Sequence, residues 1–588
     1  MSQEAGMDRA GIGSFVCAAL LLTQAPLYSA DTTPVWSWIA DTDLRVYPSS
    51  FSRRLGLREI DVCALRNERV HAQIGVRAER DVEVALEAIG FSAENSGPLW
   101  AVPVVRISRW ILVDEDGQLT PDVLIPSDTL RLRANTSRSF WLTWFVPADA
   151  DTGVHGMKLV VHFKGVQADT YRVRLKVLPF ALPDPAEYRF HLNVWQDPAA
   201  LARWHGVELW SEEHWELIGR YAQNLAAHGQ KSATTTILDD PWDAQTGHPF
   251  PSMVLWKYPG EWNLRRTDRF SFDFSLFDRY VETLEKAGVR QAIHAYSIVY
   301  GPGGRNDCRI TYLDTRSRKV RQRRTTVGDP WYMAAWRNFL PQFVTHLRQK
   351  GWLEKTFLGM DEKPDEILEV ILPLVREAAP GLKVALAGYG GKYIDAVDDF
   401  SISYQYLLAP QGGYRLDPER RRSQGKVTTF YVAVGPIRPN TFLFSPLFES
   451  RILPWIADAV HLDGFLRWAY NSWPDGMWEQ PFYRWHSGDM FLVYPGDAGP
   501  WDSMRWEMLH QGIQDVEALG LARELLRRAQ AAGVLGEQEG AALSAQLERA
   551  NRLATRQYLD PSAWYPQPAE ARHLVNEVLE RLARRLGP

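Results

Sequence analysis

Between residues 191 and 470, short apolar segments alternate with amphipathic segments that have the spacing of helices. Helix start signals stand between them, as at Ser211-Glu212-Glu213, which precedes a helical pattern up to Gly229. Eight strand–helix units predict a (β/α)8 barrel, with an open α/β sheet as the alternative. The predicted strands are His191–Trp195, Ala233–Leu238, Ala292–Ser297, Thr356–Met360, Lys383–Ala387, Phe400–Gln405, Val427–Val434 and Gly464–Tyr470.

A different pattern precedes this region. From about residue 34 to 180, apolar and polar residues alternate, as in Val70–Ala78 and Tyr171–Val177. Strands with one buried and one wet face predict an antiparallel β-sandwich, and the proline-containing stretch Ala181–Pro185 reads as the linker that ends it. A chain of 588 residues is too long for one core. We therefore expect a sandwich at 31–182, a catalytic barrel at 183–500, and a helical segment at 501–588 packed on the barrel.

The N-terminus has the features of an export signal. Arg9 precedes an apolar run from Ile12 to Leu22, and the small residues Ser29-Ala30 offer a cleavage site. The run is too short to span a bilayer comfortably, and no later segment predicts a membrane span. We expect a signal peptide at 1–30 and a secreted or periplasmic protein.

Charge and cysteine usage exclude several classes of protein. Lys and Arg number 66 against 71 Asp and Glu, so no basic surface for nucleic acid is predicted. Cys63 and Cys308 are too few and too far apart for a metal site, and we expect two buried free thiols rather than a disulfide. No glycine-rich phosphate loop follows a strand, which removes support for a nucleotide cofactor. The sequence does not indicate an oligomeric state.

The most informative stretch is Phe357–Glu366, where an apolar strand ends in Asp361 and Glu362. Active sites of (β/α)8 barrels lie at the carboxyl ends of the strands, which favours a functional interpretation. The alternative is that the pair only caps the helix beginning near Pro364. Asp365 and Glu366 could fill that capping role instead.

Adjacent carboxylates suit one type of sugar chemistry. Most glycosidases place two carboxylates on opposite sides of the sugar, which neighbours in sequence rarely achieve. In substrate-assisted hydrolysis the 2-acetamido oxygen of the substrate attacks the anomeric carbon instead. One carboxylate then orients the acetamido group and the other acts as acid and base. We assign the first role to Asp361 and the second to Glu362, whose pKa an adjacent carboxylate and apolar walls would raise.

Polar and aromatic residues near the other strand ends are candidates for a sugar pocket. The chain has 24 Trp, 22 Tyr and 24 Phe, and aromatic rings pack on the apolar faces of sugars. Core packing is an equally good explanation for each ring taken singly. The candidates are Asn193, Trp195, Tyr296, Tyr406, Tyr431, Trp468, Tyr470, Asn471 and Trp473, and we favour the last three because they leave the eighth strand at the catalytic end.

Several blocks of the chain resemble glycoside hydrolase family 123. They are Phe357–Pro364, Asp463–Trp473, Asp489–Gly496, Ser503–Glu507, Gly512–Glu517 and, in the sandwich region, Arg66–Gln73 and Val146–Gly153. The resemblance implies a sandwich followed by a (β/α)8 barrel. It also implies an exo-acting, retaining β-N-acetylgalactosaminidase whose substrate is a glycan or glycoconjugate. No cofactor or metal is expected. It maps the stabilising carboxylate onto Asp361 and the acid/base onto Glu362.

Lys363 departs from the family pattern, in which proline follows the acid pair directly. We expect its positive charge to lower the pKa values of both acids. Two other interpretations stay open: a non-catalytic carbohydrate-binding protein on the same fold, or a glycosidase for another sugar with carboxylates from separate strands. The basic run Arg316–Arg324 could meet acidic glycans, although a solvated excursion between barrel elements explains it better.

Overall fold

The computed structural model describes residues 34–52, 56–90, 99–113, 115–164, 169–407, 416–559 and 566–587. The predicted signal peptide, residues 1–30, lies outside the described residues. Within the described part of the chain, no helix is both long and apolar enough to cross a membrane. Cys63 and Cys308 are both free thiols, and Cys308 is buried.

Alternating residues build two packed sheets at the N-terminal side. Their strands are β1 Val35–Ala40, β2 Glu59–Arg66, β3 Glu68–Ala78, β4 Val82–Gly90, β5 Val104–Leu112, β6 Leu119–Pro126, β7 Thr129–Leu132, β8 Thr136–Val146, β9 Gly153–Phe163 and β10 Asp169–Ala181. One sheet has the order β1-β3-β8-β5-β6 and the other β2-β10-β9-β4-β7. Inward side chains of both sheets share one apolar core. Neighbouring strands pair antiparallel, except that β2 runs parallel to β10.

The chain then forms fourteen further strands and ten helices in the described residues. The strands are β11 His191–Val194, β12 Ser232–Thr236, β13 Leu255–Tyr258, β14 Ser271–Asp273, β15 Ala292–Tyr296, β16 Asp307–Asp314, β17 Lys319–Thr326, β18 Thr356–Asp361, β19 Lys383–Gly388, β20 Asp399–Ser403, β21 Val427–Tyr431, β22 Gly464–Arg467, β23 Val493–Gly496 and β24 Gly499–Asp502. The helices are α1 Pro198–His205, α2 Glu212–Ala227, α3 Ser275–Ala287, α4 Pro330–Lys350, α5 Asp365–Ala378, α6 Pro418–Ser423, α7 Leu447–Ala459, α8 Met504–Ala531, α9 Glu537–Leu559 and α10 Pro568–Leu586.

Eight of these strands form a nearly closed parallel barrel. The order β11-β12-β15-β18-β19-β20-β21-β22 follows the chain, and β22 pairs with β11. A single bridge between Leu192 and Gln230 joins β11 to the segment before β12. The predicted barrel is thus confirmed over an open sheet, and the carboxyl ends of all eight strands meet at one end.

Two features distinguish this barrel from a regular (β/α)8 pattern. A short 3-10 turn, Ile394–Ala396, replaces the α-helix between β19 and β20. In addition, the loops after β12 and β15 carry a small sheet of order β14-β13-β16-β17. The basic run Arg316–Arg324 forms the tip and most of the second strand of the β16–β17 hairpin. This agrees with the prediction that the run is a solvated excursion between barrel elements.

Buried ion pairs join the sandwich to the barrel through the C-terminal helices. Glu507 of α8 lies 2.6 Å from Arg106 and 3.1 Å from Arg69, which belong to β5 and β3. Near the chain end, Arg572 of α10 lies 2.9 Å from Glu68 of β3. The same guanidinium lies 3.3 Å from Asp515 of α8. Residues of the sandwich and of helices α8 and α10 therefore contribute charges to one buried interface.

Candidate active site

The acid pair opens into a single cavity because the backbone turns at Glu362. Consecutive side chains of a strand face opposite sides, and Asp361 is the last residue of β18. Glu362 has φ +49, in the left-handed region, and its N–H donates to the Ala387 carbonyl of β19 at 2.8 Å. The turn breaks the strand alternation, so both carboxylates line the same cavity of about 240 Å³.

This cavity lies at the carboxyl ends of the barrel strands, where barrel enzymes place their active sites. Aromatic side chains form much of its wall, and a few polar side chains interrupt them. The aromatic members are Trp195, Tyr389, Tyr431, Trp468 and Trp485, and the uncharged polar members are Gln245, Ser403 and Gln405. Apolar faces with a few hydrogen-bonding groups suit a sugar ring.

The surroundings of Asp361 favour its protonated form. Its side chain is buried, and burial together with the charge of Glu362 raises the pKa of Asp361 to about 8. The charge of Lys363 and a hydrogen bond from Trp242 act in the opposite direction and are outweighed. The charge of Lys363 therefore lowers the pKa of Asp361 as expected, but burial and the charge of Glu362 have the larger effect.

Glu362 is oriented by a phenol. The Tyr431 hydroxyl donates to Oε1 of Glu362 at 2.7 Å, and the Tyr389 hydroxyl also contacts this carboxylate. Burial and the charge of Glu362 raise the pKa of Tyr431 well above its usual value, so the phenol stays a donor. Tyr431, at the end of β21, and Tyr389, directly after β19, thus fix the carboxylate of Glu362.

A cluster of aromatic rings supports the floor of the cavity. Trp195, at the end of β11, lies 4.8 Å from Tyr296 and 5.2 Å from Trp242, measured between ring centroids. Trp242 in turn packs on Phe250 at 4.9 Å. Tyr296 is buried beneath this layer rather than in the cavity wall. The rings fix the position of Trp242, which bonds Asp361.

The structure brings several of the predicted binding residues to the cavity. Trp195, Tyr431 and Trp468 line it, and Trp468 makes an edge contact with Trp485 at 6.3 Å. Tyr406 lies at the margin, where its ring is 5.3 Å from that of Tyr389.

Other predicted residues lie away from the cavity. Asn193 is inside the barrel, where its Oδ1 accepts from Ser232 at 2.6 Å and its Nδ2 faces His294 at 3.2 Å. These contacts place Asn193 in a closed network within the barrel core.

The three residues favoured after the eighth strand are also held elsewhere. The Tyr470 hydroxyl donates to Asn224 of α2 at 2.8 Å. Asn471 exchanges two hydrogen bonds with the backbone of Asp197, and Trp473 Nε1 donates to the Val493 carbonyl at 2.7 Å. The cause is that β22 ends at Arg467, three residues earlier than predicted, so the chain has already turned towards the helices.

Sequence reasoning missed residues of two kinds. Tyr389 directly follows β19, and Ser403 ends β20, so the strand-end rule applied to every strand would have found them. Gln245, Pro302 and Trp485 come from long loops and carry no such signal.

A group of possible metal ligands, His228, Asp502 and Glu507, lies at the sandwich–barrel boundary rather than in the cavity. Arg69 and Arg106 already pair with Glu507 there. Two guanidinium charges beside the same carboxylate disfavour a cation at this position.

Comparisons with known proteins agree with this architecture. The model of the glycoside hydrolase 123 catalytic domain matches residues 195–522, more than half of the chain. A family 123 glycoside hydrolase from Clostridium perfringens, described for glycolipid glycan hydrolysis, is 21% identical with a TM-score of 0.76. That match covers 94% of this chain and 97% of the other. The fold of the whole described chain is therefore similar to that of a solved glycosidase.

Weaker structural matches include a Bacteroides ovatus GH5 xyloglucanase, 8% identical, with a TM-score of 0.29 and coverage of 81% of this chain and 100% of that one. A PapD-like domain of human CEP192 is 11% identical, with a TM-score of 0.15 and coverage of 27% and 96%. No curated protein matches the sequence significantly. The family model and the barrel with its acid-bearing fourth strand agree, and the chain belongs to glycoside hydrolase family 123.

Proposed function

We propose that this glycosidase releases terminal β-linked N-acetylgalactosamine with retention of configuration, using the 2-acetamido group of the substrate as nucleophile. One observation carries the proposal. Among the described residues that line the cavity, Asp361 and Glu362 are the only carboxylates, and they are adjacent in the chain. Enzymes with two opposed carboxylates need them about 5 Å or about 6.5–9.5 Å apart across the sugar. The described lining offers no acid on the facing wall.

The chemistry then uses the two acids and the substrate amide. The acetamido carbonyl oxygen bonds to the anomeric carbon while the bond to the leaving oxygen breaks, and Glu362 donates a proton to that oxygen. The carboxylate of Asp361 accepts the amide N–H and stabilises the positive charge of the oxazolinium ion. Water then attacks the anomeric carbon while its bond to the acetamido oxygen breaks, and Glu362 takes the proton of the water. This second inversion at the anomeric carbon restores the configuration.

Substrate binding must move one proton for these roles. Burial favours the protonated form of Asp361. An amide N–H that donates to Asp361 favours its ionised form. The proton is then available to Glu362, next to the leaving oxygen.

Exo action and the galacto configuration are proposed from the family resemblance. Because the C. perfringens relative is described for glycolipid glycans, glycolipid glycans are the first class of substrate to test. We further propose secretion or periplasmic location from the export signal at residues 1–30, and N-terminal sequencing of the exported protein would check it.

The test compares aryl glycosides that differ only at carbon 2. We expect hydrolysis of the 2-acetamido β-galactoside and none of the 2-hydroxy β-galactoside. An N-trifluoroacetyl analogue should react much more slowly, because fluorine withdraws electrons from the attacking oxygen. The galacto-configured N-acetyl-thiazoline should inhibit as a mimic of the oxazolinium ion. Equal rates for the 2-acetamido and 2-hydroxy substrates would contradict substrate assistance.

A further inference from the structure

Lys363, directly after the acid pair, is a buried lysine bonded entirely to backbone. Its ammonium donates to the carbonyl oxygens of Tyr300, Gly303 (3.0 Å) and Arg305 (3.2 Å). A lysine ammonium has three donors, so all of them are used and none is left for Asp361 or Glu362. The three acceptors belong to one segment, residues 297–306, which connects β15 to β16 and is called here the Pro302 loop.

The Pro302 loop forms the wall that covers Asp361. A Cβ added at Gly301 would lie 2.7 Å from Cβ of Asp361, so the loop backbone is in direct contact with this acid. Pro302 itself lines the cavity. The Gly301 N–H donates to the Pro241 carbonyl at 3.0 Å, next to Trp242, which bonds Asp361. Movement of this loop would admit water to the acid.

We propose that Lys363 is a positioning residue that holds the Pro302 loop against Asp361 and thereby keeps water away from the acid. Only the kinetic consequence rests on the proposed function. The lysine acts through the loop and not as a direct partner of the carboxylates, since its donors are all engaged by the loop carbonyls. The residue that departs from the family pattern thus has a structural task at the active site.

Charges near Lys363 allow a rival explanation, in which its positive charge acts on the acids directly. Asp361, Glu362 and Asp307 attract it and Arg305 repels it. Burial lowers the pKa of Lys363 to about 8. The two explanations predict opposite effects of removing the ammonium. Loss of a charge would raise the pKa of Asp361 further, whereas hydration of the acid would lower it, and burial is the largest cause of its present value.

The experiment compares Lys363→Met with Lys231→Met in the full-length protein. Lys231 is a matched control, because it is also buried and donates to the backbone carbonyls of Pro185 and Ala186, outside the cavity. Hydrogen–deuterium exchange is measured without substrate. We expect exchange in residues 297–306 to rise about tenfold or more in Lys363→Met, since charge-assisted hydrogen bonds are lost there. Exchange in these residues should stay unchanged in Lys231→Met, and equal exchange in both variants would overturn the proposal.

The second measurement is the pH profile of kcat/KM on a 2-acetamido oligosaccharide, whose leaving oxygen needs a proton. The alkaline limb should move to lower pH in Lys363→Met and stay in place in Lys231→Met. A move to higher pH, or no move, would overturn the positioning role. If Lys363→Met does not fold, Gly301→Ala displaces the same wall and should give the same downward shift. If exchange in residues 297–306 rises in Lys363→Met but the wild-type protein cleaves no 2-acetamido glycoside, only the proposed function is refuted.

Discussion

Glu362 lies at φ +49, a backbone conformation that non-glycine residues seldom adopt. Such a conformation costs about 1–3 kcal/mol and is found most often at functional sites. Here it has a visible effect, because it turns the second acid into the cavity that the first acid already faces. The strain and the chemistry therefore belong to the same residue.

The roles of the two acids can be separated by the leaving group. We expect Glu362→Gln to lose about 10²–10⁴-fold in kcat/KM on oligosaccharides, which need a proton at the leaving oxygen. It should lose far less on an activated aryl glycoside, whose leaving group departs without that proton. Asp361→Asn should damage both reactions, because it weakens the attack of the acetamido group. Steady-state kinetics on the two substrate types measures both effects.

Tyr406→Phe provides a matched control at the margin of the cavity, where its ring contacts Tyr389. Tyr406→Phe should change neither the dependence of kcat/KM on the leaving group nor the requirement for a 2-acetamido group. If Asp361→Asn instead keeps its kcat/KM on activated substrates and Glu362→Gln loses it, Asp361 is the acid/base and Glu362 orients the acetamido group.

At the residue scale, the sequence located the acids but not their surroundings. Asp361 and Glu362 stood out because an apolar strand ended in two charges. The protonated state of Asp361 depends on a wall from the loop at Gly301, far away in the chain, and no local pattern encodes it. Tyr470, Asn471 and Trp473 were favoured from their position after a strand, and their side chains follow the chain outward instead.

The packing of β15 against β18 requires a glycine at position 359. A Cβ at Gly359 would lie 2.8 Å from the ring of Tyr296, closer than atoms can approach. The glycine therefore allows the Tyr296 ring to lie across the neighbouring strand and support Trp195.

We expect Gly359→Ala to lower the stability by about 1–3 kcal/mol, the usual effect of overpacking a core. Because Tyr296 supports Trp195, the variant should also bind a thiazoline inhibitor more weakly. Chemical unfolding and inhibitor titration measure the two effects. Gly156→Ala is the control, since Gly156 also lies in a strand, β9, but has open space around its Cα. Equal stability of both variants would show that the Tyr296 contact does not matter.

Long, patterned elements were predictable, and insertions were not. All eight barrel strands were expected within a few residues of their observed positions, because most of them are short apolar or β-branched runs next to helical patterns. The small sheet of β13, β14, β16 and β17 was missed, since its short strands lie inside connections that carry no barrel periodicity. The 3-10 turn before β20 was missed for a similar reason: the ten residues between β19 and β20 carry no helical pattern that could be recognised.

For the molecule as a whole, the sandwich and the barrel are joined by buried charges. Glu507 is inaccessible to solvent and lies between Arg69 and Arg106. Burial alone would raise its pKa, but the two guanidinium groups hold it well below the usual value. The carboxylate is therefore charged at all physiological pH values and compensates two buried cations.

We expect Glu507→Gln to lower the stability by about 3–5 kcal/mol, because it removes the carboxylate that pairs with Arg69 and leaves Arg106 with Asp502 alone. The urea midpoint of unfolding should fall clearly. Glu539→Gln is the control, since Glu539 pairs with Arg585 on the exposed surface, where such pairs contribute about 0–1 kcal/mol. Equal midpoints in the two variants would mean that the charges at the boundary are solvated.

The contact between Glu68 and Arg572 spans 504 positions of the chain. A ribosome makes the sandwich before α10, so Glu68 has no Arg572 to pair with while the barrel is being made. Until then, the edge of the nascent sandwich that carries Glu68 has water as its partner. A ribosome that stalls shortly before residue 572 would leave a product whose sandwich still lacks this counterion.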